Sequence, residues 1–254
     1  DVIYTSLCLT ALYMALQKKS ARSMILFGMA LSFKLQTVFF LPALLPLWLR
    51  KDIKLRHLAL IPAAYMAMMI PAFWGGKSLH HALTVYTAQA STYNFMTVNG
   101  PSLYNFLPAS MDKGTLYTMF SGMAMALGMA MLAIVCLMVC LHREHITREG
   151  TLLTCLLVLG GVPFFLPKMH ERYTFGADVL ALAIAAYNPK RVWLPLLFGL
   201  SSYICYTAGL PGDAIFDLKW ATVFQGAAVA LTAAALYRSL NEEKAEAALA
   251  EVKA

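Results

Sequence analysis

The sequence predicts an all-α, polytopic helical membrane protein, and three observations carry that expectation. Of the 254 residues, 60% are hydrophobic and only 13% charged, and the mean hydropathy is +0.64. A soluble domain carries about 25% charged residues. Apolar runs of roughly 20 residues recur between short charged clusters, as spans of a ~30 Å hydrocarbon layer require. The strand-type alternation of an outer-membrane barrel is missing.

The net charge of +7 does not point to nucleic acid, because the basic residues sit in short loops between the apolar spans. All five cysteines (Cys8, Cys136, Cys140, Cys155, Cys205) fall inside apolar runs with no CxxC pair. They read as small packing residues, not as a disulfide framework or a metal cluster. The chain opens on Asp1, with no signal peptide, directly before an apolar span, and is expected to be a fragment lacking its N-terminal portion. Residues 1–240 read as one transmembrane domain and 241–254 as a charged cytoplasmic tail, a solvated Ala- and Glu-rich helix.

In chain order, the first apolar segment covers residues 2–16 and closes on Lys18, Lys19 and Arg22. Residues 23–49 are apolar again, but Lys34 and Gln36 interrupt them midway, and Arg50, Lys51, Lys54 and Arg56 follow. One tilted helix would put the two basic clusters on opposite sides. Two short helices folded as a hairpin would put both inside, with Lys34 and Gln36 near the outer surface, and the positive-inside bias favours this. Short or broken helices of this kind need protein or a water-filled cavity over their exposed backbone. Residues 58–74 return outward past Pro62 and Pro71 to a long extracytoplasmic loop, 75–114, rich in Tyr, Phe and Asn and holding the turn signal Asn99-Gly100-Pro101. Further spans follow at 116–141, 151–167, 174–187, 192–210 and 220–237. The first of these has small residues at fourfold spacing (Gly122, Ala126, Ala130; Ala124, Gly128), a face suited to close helix packing. On this topology only Lys34, Lys77, Lys113, Lys168, Arg172 and Lys219 of the 20 basic residues lie at the outer side.

The stretch FFLPKMHERY at residues 164–173 puts Lys168, His170, Glu171 and Arg172 within five positions, and the topology places it at the outer face. Four ionisable residues at the mouth of a span are costly unless something charged meets them. Lys168 and Arg172 lie four apart, so in a helix they would share a face and could grip a phosphate together. His170 can donate to phosphate or move a proton, and Glu171 can hold a cation or a sugar hydroxyl. The alternatives are structural. Glu171 and Arg172 could pair between helices, the cations could be interfacial anchors, and Lys34 and Gln36 could be polar helix glue. The tyrosine-rich loop fits an aromatic belt as well as sugar stacking. The histidine pairs His142/His145 and His80/His81 read as solvated positions rather than metal sites, for want of further ligands.

Four stretches, DVIYTSLCLTALYMALQKK, FGMALSFKLQTVFFLPALLPLWLRK, VNGPSLYNFLP and FLPKMHERYTFGADVLALA, run in an order that resembles bacterial membrane glycosyltransferases. These are the prokaryotic relatives of the PIG-V type GPI mannosyltransferases, within the GT-C superfamily. The resemblance reaches to about residue 187. It implies a GT-C-like fold in the bacterial cytoplasmic membrane, with an active site facing outward. It also implies a polyprenyl-phosphate sugar donor, with mannose or a related hexose passed to a glycan or lipid acceptor of the cell envelope. Similar proteins carry a catalytic carboxylate in their first external loop, which would precede Asp1. Asp1 itself resembles the acidic residue of a QxDxIY-like stretch. On this reading Asp1, His170 and Glu171 are the catalytic candidates. Lys34, Gln36, Asn99, Lys168, Arg172 and Tyr173 are the substrate-binding candidates. No DxD motif is visible, so neither a metal nor another cofactor is expected, and the partners are the lipid-linked donor, membrane lipid and the acceptor. Two competing readings use the same charges: a transporter or flippase of a lipid-linked or anionic substrate, and a structural membrane subunit.

Overall fold

A backbone amide in hydrocarbon has no water to bond, so the apolar runs satisfy their own polar groups by becoming helical. The computed structural model describes the backbone of residues 1–90, 94–209 and 215–253, and it is all-α apart from one pair of two-residue strands. Tyr93 of the expected aromatic loop, and residues 211–214 of the loop PGDAIFDLK, lie outside the described residues. The first helices are α1 (Val2–Leu16), α2 (Ser20–Phe33), α3 (Leu44–Leu49), α4 (Leu60–Met68), α5 (Ile70–Trp74) and α6 (Leu79–Ala90). Then come strand β1 (Thr97–Val98), α7 (Lys113–Leu141), α8 (Arg148–Phe165), strand β2 (Met169–His170), α9 (Phe175–Tyr187), α10 (Trp193–Gly209) and α11 (Leu218–Lys253). Among the described residues five stretches are long and apolar enough to cross a membrane: Leu55–Trp74, Lys113–Leu141, Arg148–Phe165, Pro189–Gly209 and Leu218–Asn241. The chain is an integral membrane protein built of helices.

The described chain divides into two compact units, Asp1–Asn94 and Phe95–Ala254. In the first, α1 packs along α2, and α2 along α4. Gly28 permits the second contact, because a Cβ there would stand 2.3 Å from the Ile61 carbonyl oxygen and 2.7 Å from Ala64 Cβ. Backbone cannot swing aside as a side chain can. Gly28→Ala is therefore expected to lower stability by about 1–3 kcal/mol, the usual cost of overpacking. A fall in the aggregation temperature of the detergent-solubilised protein would register it.

The run 23–49 turns back on itself. α2 ends at Phe33, Lys34 is extended (φ −156°, ψ 133°), and a 3₁₀ segment, Leu35–Ala43, leads into α3. Pro42 lies in that segment; it lacks an N–H and would clash with the carbonyl four residues earlier, so α geometry does not run through. The Lys54 N–H donates to Ser20 Oγ at 2.9 Å, and His57 Nδ1 lies 3.0 Å from the same oxygen. The start of α2 and the basic stretch after α3 thus share one end, as the hairpin reading requires. Pro62 and Pro71 fall in the first turns of α4 and α5, where a missing N–H removes no helical bond.

Residues 75–114 are not one long loop. α6 forms in a stretch with neither Gly nor Pro, held by two tyrosines. Tyr65 OH donates to the Ala82 carbonyl at 2.7 Å, and Tyr86 OH donates to the Leu31 carbonyl. The polar and aromatic composition that reads as loop is that of a helix attached through hydroxyls.

In the second unit α8 is the central element, buried along almost its whole length, with α7, α9 and α11 around it. Gln225 of α11 donates to the Gly160 carbonyl at 3.0 Å. At the other end of α8, Glu149 accepts from Arg191 Nε at 2.8 Å and from Asn188, which fixes the end of α9. Of the two small-residue rows on α7 only one packs. Ala124 is fully buried and Gly128 abuts Leu166, whereas Gly122, Ala126 and Ala130 are exposed. The expected span at 174–187 is α9, whose 13 residues reach about 20 Å, short of the hydrocarbon thickness. α11 carries the tail along as helix to Lys253.

Candidate functional site

The sequence-predicted residues gather into one cluster in each unit. In the first, the break at Lys34 frees its side chain to pair with Asp1 at the start of α1, so two of the candidates meet. The ammonium also lies 5.4 Å from the centroid of the Tyr4 ring, a cation–π distance. The end of the unit that holds this pair is opposite the one where Ser20 meets Lys54. Gln36 is half-buried two residues on, and the neighbouring Thr37 is buried beneath Cys8.

In the second unit, two stretches that are 72 residues apart in sequence are clasped together. β1 and β2 pair in parallel, with Thr97 opposite Met169 and Val98 opposite His170, and an isolated bridge joins Asn99 to His170. Asn99 takes the left-handed conformation (φ 57°) that asparagine tolerates, and its amide donates to the Ala208 carbonyl at 3.4 Å. Its side chain therefore ties the clasp to the end of α10. Tyr104 OH donates to the Phe165 carbonyl at 2.6 Å, and burial pushes its phenol up to about 12, so it stays a donor at neutral pH. Asn105 donates to the Gly100 carbonyl at 2.9 Å and to Thr222 at 3.0 Å.

Lys168 and Arg172 do not share a helical face, contrary to the expectation from their spacing. Pro167 ends α8 by forcing Leu166 to extended geometry (φ −77°, ψ 149°). Lys168 then turns left-handed (φ 65°), β2 follows, and Glu171–Thr174 form a 3₁₀ turn. A lysine at positive φ persists only where its surroundings hold it. Here the Lys168 N–H donates to the Phe95 and Met96 carbonyls, both at 3.2 Å, and its ammonium lies 4.9 Å from the Tyr117 ring centroid.

The charges close on Glu171. Arg172 Nε is 3.3 Å from Glu171 Oε1, and His170 Nδ1 is 3.8 Å from Oε2. The His170 ring also packs on Tyr173 with centroids 5.2 Å apart. Glu171 and His170 are mostly enclosed, while the Arg172 side chain is 57% exposed. The cluster thus offers a sheltered carboxylate, an imidazole against it and an outward-facing guanidinium, which together can hold an anion beside hydroxyl groups.

Sequence reasoning missed the α10 side of this cluster. A Cβ on Gly209 would meet Glu171 Cγ at 3.0 Å, so the Glu171 side chain packs directly against this glycine and would have to shift for a larger residue. Ser202 donates to Asp178, and its hydroxyl is 3.2 Å from that of Thr174. The signal was present: Asp178 is the one acid in the apolar run FGADVLALAIAAY, where an ionisable residue is conspicuous.

Nearby, Asp112 caps α7, accepting the Thr115 N–H at 2.9 Å and the Thr115 hydroxyl at 3.2 Å. These bonds hold its carboxyl below the usual aspartate value. Because the folded value is the lower one, the cap contributes fully above the ordinary aspartate range and is lost as pH falls through the folded value. Amide exchange at residues 113–116, corrected for intrinsic rates, should therefore accelerate below that range in the native protein. It should be fast at every pH in Asp112→Ala.

No protein-family model, curated protein or solved structure matches this chain.

Proposed function

We propose that this chain is an integral-membrane glycosyltransferase that moves a sugar, mannose or a related hexose, from a polyprenyl-phosphate donor to a cell-envelope acceptor. On this reading it acts at the outer face of a bacterial cytoplasmic membrane, in the manner of the GT-C relatives of PIG-V type mannosyltransferases that its motifs resemble. The observation that carries the reading is the clasp, which joins VNG to KMHERY, where His170 and Arg172 flank the Glu171 carboxylate.

The chemistry fits these groups. The bond from the sugar anomeric carbon to the phosphate oxygen breaks, and a bond from the same carbon to the acceptor oxygen forms. The polyprenyl phosphate leaves with the electron pair, and the acceptor proton passes to a carboxylate. Lys168 and Arg172 are the cations offered to the departing phosphate. His170 orients it, and Tyr173 supports His170. Glu171 is the carboxylate of the second unit available for the proton or for orienting the acceptor. In the first unit, Lys34 is held by Asp1 at the break after α2, and Gln36 lies two residues on. Asn99 contributes by fixing the clasp.

The interrupted helix at Lys34 supports a second reading, since broken helices also build the binding sites of transporters. One experiment separates the two. Purified protein in liposomes is incubated with radiolabelled polyprenyl-phosphate mannose and a membrane extract as acceptor source. Label appearing in a product no longer linked to polyprenyl phosphate supports transfer. Label that changes leaflet while still on its carrier supports a flippase and overturns the enzyme, and neither outcome overturns both.

A further inference from the structure

One turn beyond the HERY turn, Asp178 faces α10 from an otherwise apolar helix. Its place in the first turn of α9 suits a carboxylate, because the helix dipole is positive there, but the dipole does not account for the polar groups gathered around it. Ser202 Oγ donates to Asp178 Oδ1 at 2.9 Å, and Thr174 Oγ1 lies 3.2 Å from Ser202 Oγ. Among the described residues no hydrogen bond reaches Asp178 Oδ2. That oxygen is not fully enclosed, so it has an accessible side where a ligand hydroxyl can donate. Tyr206, one turn after Ser202, lies within electrostatic range of Asp178, Glu171 and Arg172. Gly209, one turn further, receives the Glu171 side chain. Positions 202, 206 and 209 fall on one face of α10, so this face, the HERY turn and the start of α9 bring together two carboxylates, two hydroxyls and a phenol.

Such a set does not suit a phosphate, since both carboxylates would repel it. It suits a neutral polyol, whose hydroxyls donate to a carboxylate or to Ser202 Oγ and accept from the Tyr206 phenol. Resting on the reading of this unit as a glycosyl-transfer site, we propose that Asp178, Ser202 and Tyr206 bind the hydroxyl groups of the sugar. Lys168 and Arg172 serve the phosphate, so the second unit divides into an anionic end for the sugar and a cationic end for its carrier.

The test compares two probes in nanodiscs: a short-chain polyprenyl-phosphate mannose, and the same polyprenyl phosphate without sugar. Asp178→Asn keeps the shape and removes the charge. It should weaken binding of the mannose-bearing lipid about tenfold or more, while the sugar-free lipid stays within about twofold of wild type. Tyr206→Phe keeps the ring and should give a smaller loss, about threefold to tenfold, again only for the mannose-bearing lipid. A variant that merely distorts the unit would lose both lipids alike. Equal losses for both probes, or no loss for either, in Tyr206→Phe and in whatever Asp178→Asn can be purified, overturn the sugar site. Wild-type protein that binds neither probe overturns the glycosyl-transfer reading, and the sugar site falls with it.

Discussion

Arg172→Ala is expected to lower transfer from a polyprenyl-phosphate sugar at least a hundredfold, with the yield of folded protein unchanged. The two halves of that expectation come from different properties of the residue. The Arg172 side chain is 57% exposed and its ion pair is with the adjacent Glu171, at 3.3 Å. Exposed pairs of this type contribute about 0–1 kcal/mol, so the fold should not register the loss. The departing phosphate would register it, because it gains charge as the sugar leaves. Removing one preorganised donor from a developing anion typically costs about 10²–10³ in rate. Arg172→Lys should recover part of the rate, since it keeps the charge but not the planar fork. His170→Ala should move in the same direction, because the β1–β2 pairing uses its backbone and leaves the clasp standing. Near-normal turnover in both alanine variants would remove this cluster from the reaction.

The spans were legible because long apolar runs leave the chain few options in a bilayer. The break at Lys34 was legible for the same reason, as a lysine amid apolar residues forces the helix to end, tilt or find a carboxylate. Asp1 is that carboxylate, and nothing in the spacing of residues 1 and 34 announced the pair. The clasp was illegible. Two residues of strand have no periodicity, and Thr97-Val98 and Met169-His170 look no more extended in sequence than their neighbours. Its loss misled the reading of Lys168 and Arg172, because a four-residue spacing means a shared face only where the chain is helical. α6 was hidden by composition, and Asp178 by the richer charge cluster seven residues before it.

Gly100→Ala is expected to cost activity out of proportion to stability, because Gly100 is where the clasp closes. A Cβ at this position would stand 2.7 Å from the Met169 carbonyl oxygen, 3.1 Å from its carbon and 3.2 Å from the His170 carbonyl oxygen. All three are backbone atoms of the opposing strand, so relief requires moving β2 itself. The packing beneath does not depend on that strand. Met96, Tyr104, Leu116 and Ala124 form their own buried cluster, and α8 is enclosed by three helices. The stability loss should therefore stay within about 1–3 kcal/mol, as for other overpacked sites. His170 lies in β2 and Glu171 follows it directly, so both would shift with it. A misplacement of about 1 Å costs a catalytic constellation on the order of 10² in rate. The measurement pairs transfer rate with thermal unfolding in detergent for Gly100→Ala and for Gly28→Ala, whose clash lies in the first unit. A Gly100 variant that loses stability and keeps its rate would show that the clasp serves the fold and not the site.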